Sequence, residues 1–157
     1  MGPGNGSRTS GKSLLPRVEP TSLRDKTGLR SISLLDIKLT VCTKEELLQA
    51  LARSARQEDK TIVLSGNVHS FNLAYSTRWL RDFFNSADIV RLDGAGLRLG
   101  AYILGYKTPP RMTWADFAWD LAGMCEERGL SLYFLGGRPG VAQKAADRLR
   151  SRFPRLR

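Results

Sequence analysis

From Ser31 onward, apolar and polar positions follow two alternating modes. Short β-prone apolar runs lie at Ser33–Val41, Lys60–Leu64, Ala87–Leu92 and Leu130–Leu135, and each reads as a strand. Between them, apolar residues recur three or four apart in LLQALARSAR after Glu46, in Val68–Tyr75, in Thr77–Phe84, in the segment through Leu104, in Thr113–Arg128 and from Pro139 to about Arg152. That spacing gathers apolar side chains on one helical face. Local signals agree with the periodicity: Thr43-Lys-Glu-Glu46 has the form of a capping box, Gly129 marks a helix stop, and Pro139 suits a first helical turn. Strands alternating with helices of this length predict an α/β domain with a mainly parallel sheet.

Residues 1–30 lack this patterning. They are rich in Gly, Ser, Pro and basic residues, and they read as a disordered basic leader ahead of a domain at 31–157. The chain has 157 residues, 41% hydrophobic and 25% charged, which suits one packed domain and argues against a fibrous or wholly disordered chain. Lys and Arg number 25 against 15 Asp and Glu, a net charge of +10. The excess sits in the leader and the last helix, where it can attract nucleic acid, anionic lipid or a phosphorylated ligand. Cys42 and Cys125 fit neither a disulfide framework nor a zinc spacing, so reduced thiols in a cytosolic protein are the simplest reading. With His69 as its single histidine, the chain has no two-histidine zinc motif. No apolar run approaches the ~20 residues needed to cross a bilayer, and no secretory h-region follows the first charges.

Residues 6–13, GSRTSGKS, match the pattern of a phosphate-binding P-loop. Such a loop needs a strand before it and a helix after it, whereas only MGPGN precedes it and Pro16 breaks any helix that would leave it. It reads as a coincidence in the leader. In parallel α/β sheets ligands bind beyond the carboxyl ends of the strands, which points to Ser65-Gly66-Asn67, to Asp93-Gly94-Ala95-Gly96 and to Gly136-Gly137-Arg138-Pro139-Gly140. Glycines at 136 and 137 allow close backbone approach by an anion such as a nucleotide diphosphate, or serve only a tight turn. Asp93 suits a general base at a cleft mouth, or an Asp-Gly turn. Asn67 and His69 can hold a sugar hydroxyl or a uracil edge, and Asn67 equally suits a helix N-cap. Thr113 with Asp116 suits an N-cap and its partner three residues on. Arg111, after Pro109-Pro110, suits bidentate phosphate binding.

The order and spacing of these pieces resemble the WecG/TagA/CpsF family of bacterial glycosyltransferases over roughly Ser33 to Arg157. The residues carrying the likeness are Leu64-Ser65-Gly66-Asn67 with Val68–Ala74, Ala87–Gly96, Leu104-Gly105, Pro110–Phe117, Tyr133–Ala142 and Phe153-Pro154. The resemblance implies a Rossmann-like fold with helices on both sheet faces. It implies an inverting enzyme of cell-surface polysaccharide, teichoic acid or exopolysaccharide synthesis, peripheral at the inner face of the cytoplasmic membrane. Such an enzyme moves an N-acetylmannosamine-type or related sugar from a UDP donor to a lipid-diphosphate-linked acceptor.

By position, Asp93 matches the proposed general base and Arg111 an arginine important for activity. Ser65, Asn67, His69, Gly94, Thr113, Asp116, Gly136, Gly137 and Arg138 fall to substrate binding; neither a metal nor a further cofactor is implied. Trp114 stands where a glycine is usual, and Arg91-Leu92 replaces an apolar-Pro lead into Asp-Gly. The family domain continues past the position of Arg157, so the chain corresponds to about its N-terminal two-thirds, with a sheet edge left incomplete. Two other readings are a nucleotide-sugar-binding remnant without turnover and a basic nucleic-acid-binding protein; for the latter there is no recognisable reader motif.

Overall fold

The computed structural model describes residues 23–24, 27–57, 60–108 and 112–157, with backbone only for Leu23, Arg24 and Asp116. The described elements run β1 (Leu23–Arg24), β2 (Arg30–Leu34), β3 (Ile37–Val41), α1 (Lys44–Arg56), β4 (Val63–Gly66), α2 (Val68–Ser76), α3 (Arg78–Ser86), β5 (Ile89–Leu92), α4 (Ala95–Ile103), α5 (Trp114–Arg128) and α6 (Val141–Arg152). They form one sheet in the order β1-β2-β3-β5-β4. Strands β3, β5 and β4 run parallel, and β1 and β2 add antiparallel at the β3 side.

Alternation along the central strand explains the layering. Successive strand residues point to opposite faces, and all four residues of β5 are buried. Val90 and Leu92 pack with Phe71 and Ala74 of α2, Phe84 of α3 and Leu97 of α4. Ile89 packs on the other side with Leu47 and Ala50 of α1 and Phe117 of α5. Helices therefore cover both faces of a mixed sheet with a parallel core, the Rossmann-like arrangement expected. On the first face the Phe71 and Phe84 rings meet edge to face, 5.8 Å between centroids. A satellite cluster joins α6 to α1 and α5 through Ala52, Ala122, Cys125, Leu149 and Leu156.

The helix ends follow from local chemistry. Thr43 Oγ1 accepts from the Glu46 backbone N–H at 3.2 Å, and the Glu46 carboxylate accepts from the Thr43 N–H at 2.7 Å, so the capping box at α1 is complete. Helix α5 stops at Gly129, whose φ is +67. There the Leu130 N–H reaches back to the Cys125 carbonyl at 2.8 Å, the closure of a Schellman motif.

The structure corrects the sequence reading in four places. The run Ser33–Val41 is not one strand: β2 and β3 form a hairpin, turning through Leu35 (φ +54) and Asp36 (φ +59). Two consecutive left-handed residues are what a tight two-residue hairpin loop requires, but Leu-Asp lacks the glycine that ordinarily announces one. The domain also begins before residue 31, because β1 pairs with β2 and Leu29 is buried; the P-loop-like residues 6–13 lie outside the described residues.

Leu130–Leu135 forms no strand. Leu132 donates one backbone bond to the Arg157 carbonyl, but Tyr133 and Leu135 are 88% and 90% exposed, and strand-like composition alone does not make a ladder. Pro139 precedes rather than enters the last helix, which is capped by Gly140 in the left-handed region.

Candidate active site

The strand register brings Ser65 beside Arg91, as direct partners on β4 and β5. Both side chains occupy the sheet face toward α5, and Arg91 Nε donates to Ser65 Oγ at 3.0 Å. Arg91 Nη1 donates to the Met112 carbonyl at 2.7 Å, and its Nη2 lies 3.5 Å from Asp93 Oδ2. The Trp114 indole, on the first turn of α5, lies over the guanidinium at 4.5 Å from ring centroid to Cζ. Its Nε1–H donates to the same Ser65 oxygen at 2.6 Å. Phe117 braces the indole edge to face at 5.4 Å.

Arg91 is 1% exposed. A cation so placed is costly without partners, and here a hydroxyl, a carbonyl, a carboxylate and a π face supply them. Burial pushes its guanidinium down from the ordinary value, while the Asp93 carboxylate, and to a lesser extent Cys42, push it back up; an arginine stays charged under such opposition. Nη2 makes no hydrogen bond, so its tie to Asp93 is ionic and long.

Asp93 caps the carboxyl end of β5. Its backbone N–H donates to the Gly66 carbonyl at 2.8 Å, and Gly94 then turns with φ +95 into α4. The side chain remains 29% exposed. It is thus held from behind by a buried cation and open in front, a suitable station for taking a proton from a ligand hydroxyl.

The remaining expected residues divide. Asn67 is the N-cap of α2: its Oδ1 accepts from the Ser70 N–H at 2.9 Å, and Ser70 Oγ accepts from the Asn67 N–H at 2.9 Å. His69 is exposed on the first turn of that helix. Thr113 precedes α5, and its carbonyl accepts from the Phe117 N–H at 3.0 Å. Arg111 and the Asp116 side chain lie outside the described residues.

Gly136 (φ +109) and Gly137 (φ +80) turn the chain toward α6, with Arg138 exposed beside them. This loop does not leave a sheet strand, and among the described residues no hydrogen bond or ion pair ties it to Asp93 or Ser65. The structure therefore assembles Ser65, Asp93 and Gly94 around Arg91, and the glycine loop is not bonded into that cluster.

Arg91 and Trp114 are the members of the cluster that sequence reasoning does not place in the site. A charged residue inside an otherwise apolar four-residue strand is the available signal. Farther along α4, Leu99, Tyr102 and Ile103 are exposed, and a depression of about 540 Å³ there is lined by Arg98, Leu99, Tyr102, Tyr106 and Lys107. No described helix is long and apolar enough to cross a membrane.

Among curated proteins, none matches this chain. The model of the glycosyl transferase WecG/TagA/CpsF family matches residues 32–157, a span that includes every described residue of the Ser65–Arg91–Asp93–Trp114 cluster. The chain belongs to that family, the glycosyltransferases of cell-surface polysaccharide synthesis.

Proposed function

We propose that the protein is an inverting glycosyltransferase that moves an N-acetylmannosamine-type or related sugar from a UDP donor to a lipid-diphosphate-linked acceptor. The observation that carries this reading is Asp93: a carboxylate at the carboxyl end of the central strand, fixed by its own N–H and by Arg91, with its outer side open. Asp93 takes the proton of the acceptor hydroxyl as that oxygen bonds to the anomeric carbon. The bond from that carbon to the diphosphate oxygen breaks, and UDP departs with its electron pair from the opposite face, inverting the centre. Charge building on the leaving diphosphate needs positioned donors. Arg111 and the Gly136-Gly137-Arg138 loop are assigned to it, with no metal in the scheme.

The exposed apolar face of α4, the helix that follows Asp93, is flanked by Arg98 and Lys107 and supports peripheral association with an anionic bilayer. Several arginines of the basic C-terminus are engaged within the chain, which lowers the free positive charge that nucleic-acid binding would draw on. Arg152 stacks on Trp119 and Phe153, Arg157 donates to the Gly129 carbonyl, and Arg155 faces Glu126.

The test is a transfer assay with UDP-N-acetylhexosamines and a lipid-diphosphate-linked sugar, comparing wild type with Asp93→Ala. The expected loss is at least about 100-fold, the scale of a general base. Equal turnover in the variant removes Asp93 as the base, and UDP binding without transfer to any acceptor supports a binding protein instead.

A further inference from the structure

The Ser65 hydroxyl has two acceptor lone pairs and one proton to donate. Arg91 Nε–H and Trp114 Nε1–H fill the acceptor side at 3.0 and 2.6 Å. The hydroxyl is thereby left as a donor only, and among the described residues no protein acceptor takes its proton. On the indole, the Nε1–H is spent on Ser65, one face lies over the Arg91 guanidinium, and the ring is braced by Phe117. Trp114 nevertheless remains 41% exposed. Asp93, 3.5 Å from Nη2 of the same guanidinium, presents a carboxylate that can only accept. A fixed aromatic surface thus stands beside one obligate donor and one obligate acceptor.

We propose that Trp114 is the ring-stacking wall of an acceptor-sugar subsite, preorganised by Arg91 and Ser65. The inference rests on the glycosyltransferase reading and deepens it. A pyranose matches this arrangement because its face is made of C–H groups that pack on an aromatic ring, while its edge carries hydroxyls that both donate and accept. One such hydroxyl donates to Asp93, and a ring substituent oxygen accepts from Ser65. A diphosphate matches poorly, because the cation behind the indole is buried and already committed to protein partners.

Holding the indole in advance removes the rotamer entropy that a loose tryptophan would lose on binding. Arg91 is a positioning residue here: it acts on the ligand through Trp114, Ser65 and Asp93. An indole pinned on one face and at its N–H serves as a wall with a fixed edge.

The experiment titrates the full chain with the methyl glycosides of N-acetylglucosamine and of glucose, read by calorimetry and indole fluorescence, and in parallel with UDP. At least one glycoside is expected to bind with a saturable fluorescence change. Trp114→Phe keeps most of that affinity, whereas Trp114→Ala, with unchanged circular dichroism, loses about fivefold or more, the scale of one aromatic stack. UDP affinity stays the same in all three proteins. Equal or tighter glycoside binding by Trp114→Ala or Trp114→Gly overturns the proposal and makes the indole a plug. UDP binding with no glycoside binding in wild type overturns the subsite alone, and binding of neither ligand removes the functional reading and the subsite with it.

Discussion

The Phe71 ring lies so close to Gly66 that a β-carbon there would overlap it. Phe71 is fully buried at the centre of one core face, and Gly66 ends β4 between Ser65 and the α2 cap. The ring cannot retreat without opening that core. Gly66→Ala is therefore expected to destabilise the fold by about 1–3 kcal/mol, the usual cost of overpacking, seen as a lower urea midpoint. A β-carbon at Gly96 meets a methyl of Val68, whose side chain is 43% exposed and can turn away, so Gly96→Ala is expected to cost less; an unchanged midpoint for Gly66→Ala would show that α2 shifts freely.

Asn67 separates a structural role from a ligand role by substitution. Its side chain caps α2, so Asn67→Ala should cost about 1 kcal/mol, while Asn67→Ser, another good cap, should restore most of it. Thr43→Ala at α1 is expected to cost a similar amount for the same reason. Stability measured by chemical denaturation checks both. If Asn67→Ser recovers stability but not ligand binding, the amide also touches the ligand.

Replacing Arg91 tests whether the buried cation is structural or serves the site. Arg91→Met roughly preserves volume and removes a charge that is expensive to bury, but it leaves the Met112 carbonyl without its partner. The unpaired carbonyl costs about 1–3 kcal/mol, offset in part by relief of the desolvation burden. Thermal unfolding should therefore show a small net change, while transfer activity falls sharply because Asp93, Ser65 and Trp114 lose their common anchor. A large stability loss with normal activity would reverse that assignment.

Cys125 gives a pH dependence with a definite sign. Burial raises its thiol above the ordinary value, so the unfolded chain ionises first as pH rises. The folded state is unaffected below the unfolded thiol pKa of about 8.5 and loses stability as pH climbs from there through the raised folded value. Denaturation midpoints at pH 8 and pH 10 should differ more in wild type than in Cys125→Ala. Both cysteines are buried thiols, so a thiol reagent at pH 8 should label them slowly until denaturant is added.

Tyr133 and Leu135 stand almost fully exposed after α5. Replacing both with Ser should change stability by no more than about 0.5 kcal/mol, as for surface sites generally, and should reduce self-association in light scattering because exposed apolar patches favour it.

Much of this fold is legible in the sequence because the helices carry their own punctuation: the Thr43–Glu46 box, Asn67 before α2 and Gly129 after α5. These signals act within a few residues and need no tertiary partner. The hairpin is hidden because Leu35 and Asp36 adopt left-handed geometry that only the pairing of β2 with β3 enforces. Residues 130–135 mislead for the converse reason, since strand-like composition without a ladder is only an extended segment. In the site, Asp93 and Ser65 are legible because strand exits are where such chemistry gathers. The pairing of Arg91 with Trp114 is not, because it depends on register between β4 and β5 and on the placement of α5, distances that no local pattern encodes.

The antiparallel strands β1 and β2 have one further effect. They occupy the side of β3 away from β5, so that, among the described residues, the parallel half of the sheet has one unpaired edge, along β4. A strand laid there would run past the main chain of Val63–Gly66, one strand removed from the Arg91 guanidinium. A chain pairing at that rim would touch the backbone that carries Ser65, so assembly at the rim and alignment of the hydroxyl would be mechanically linked.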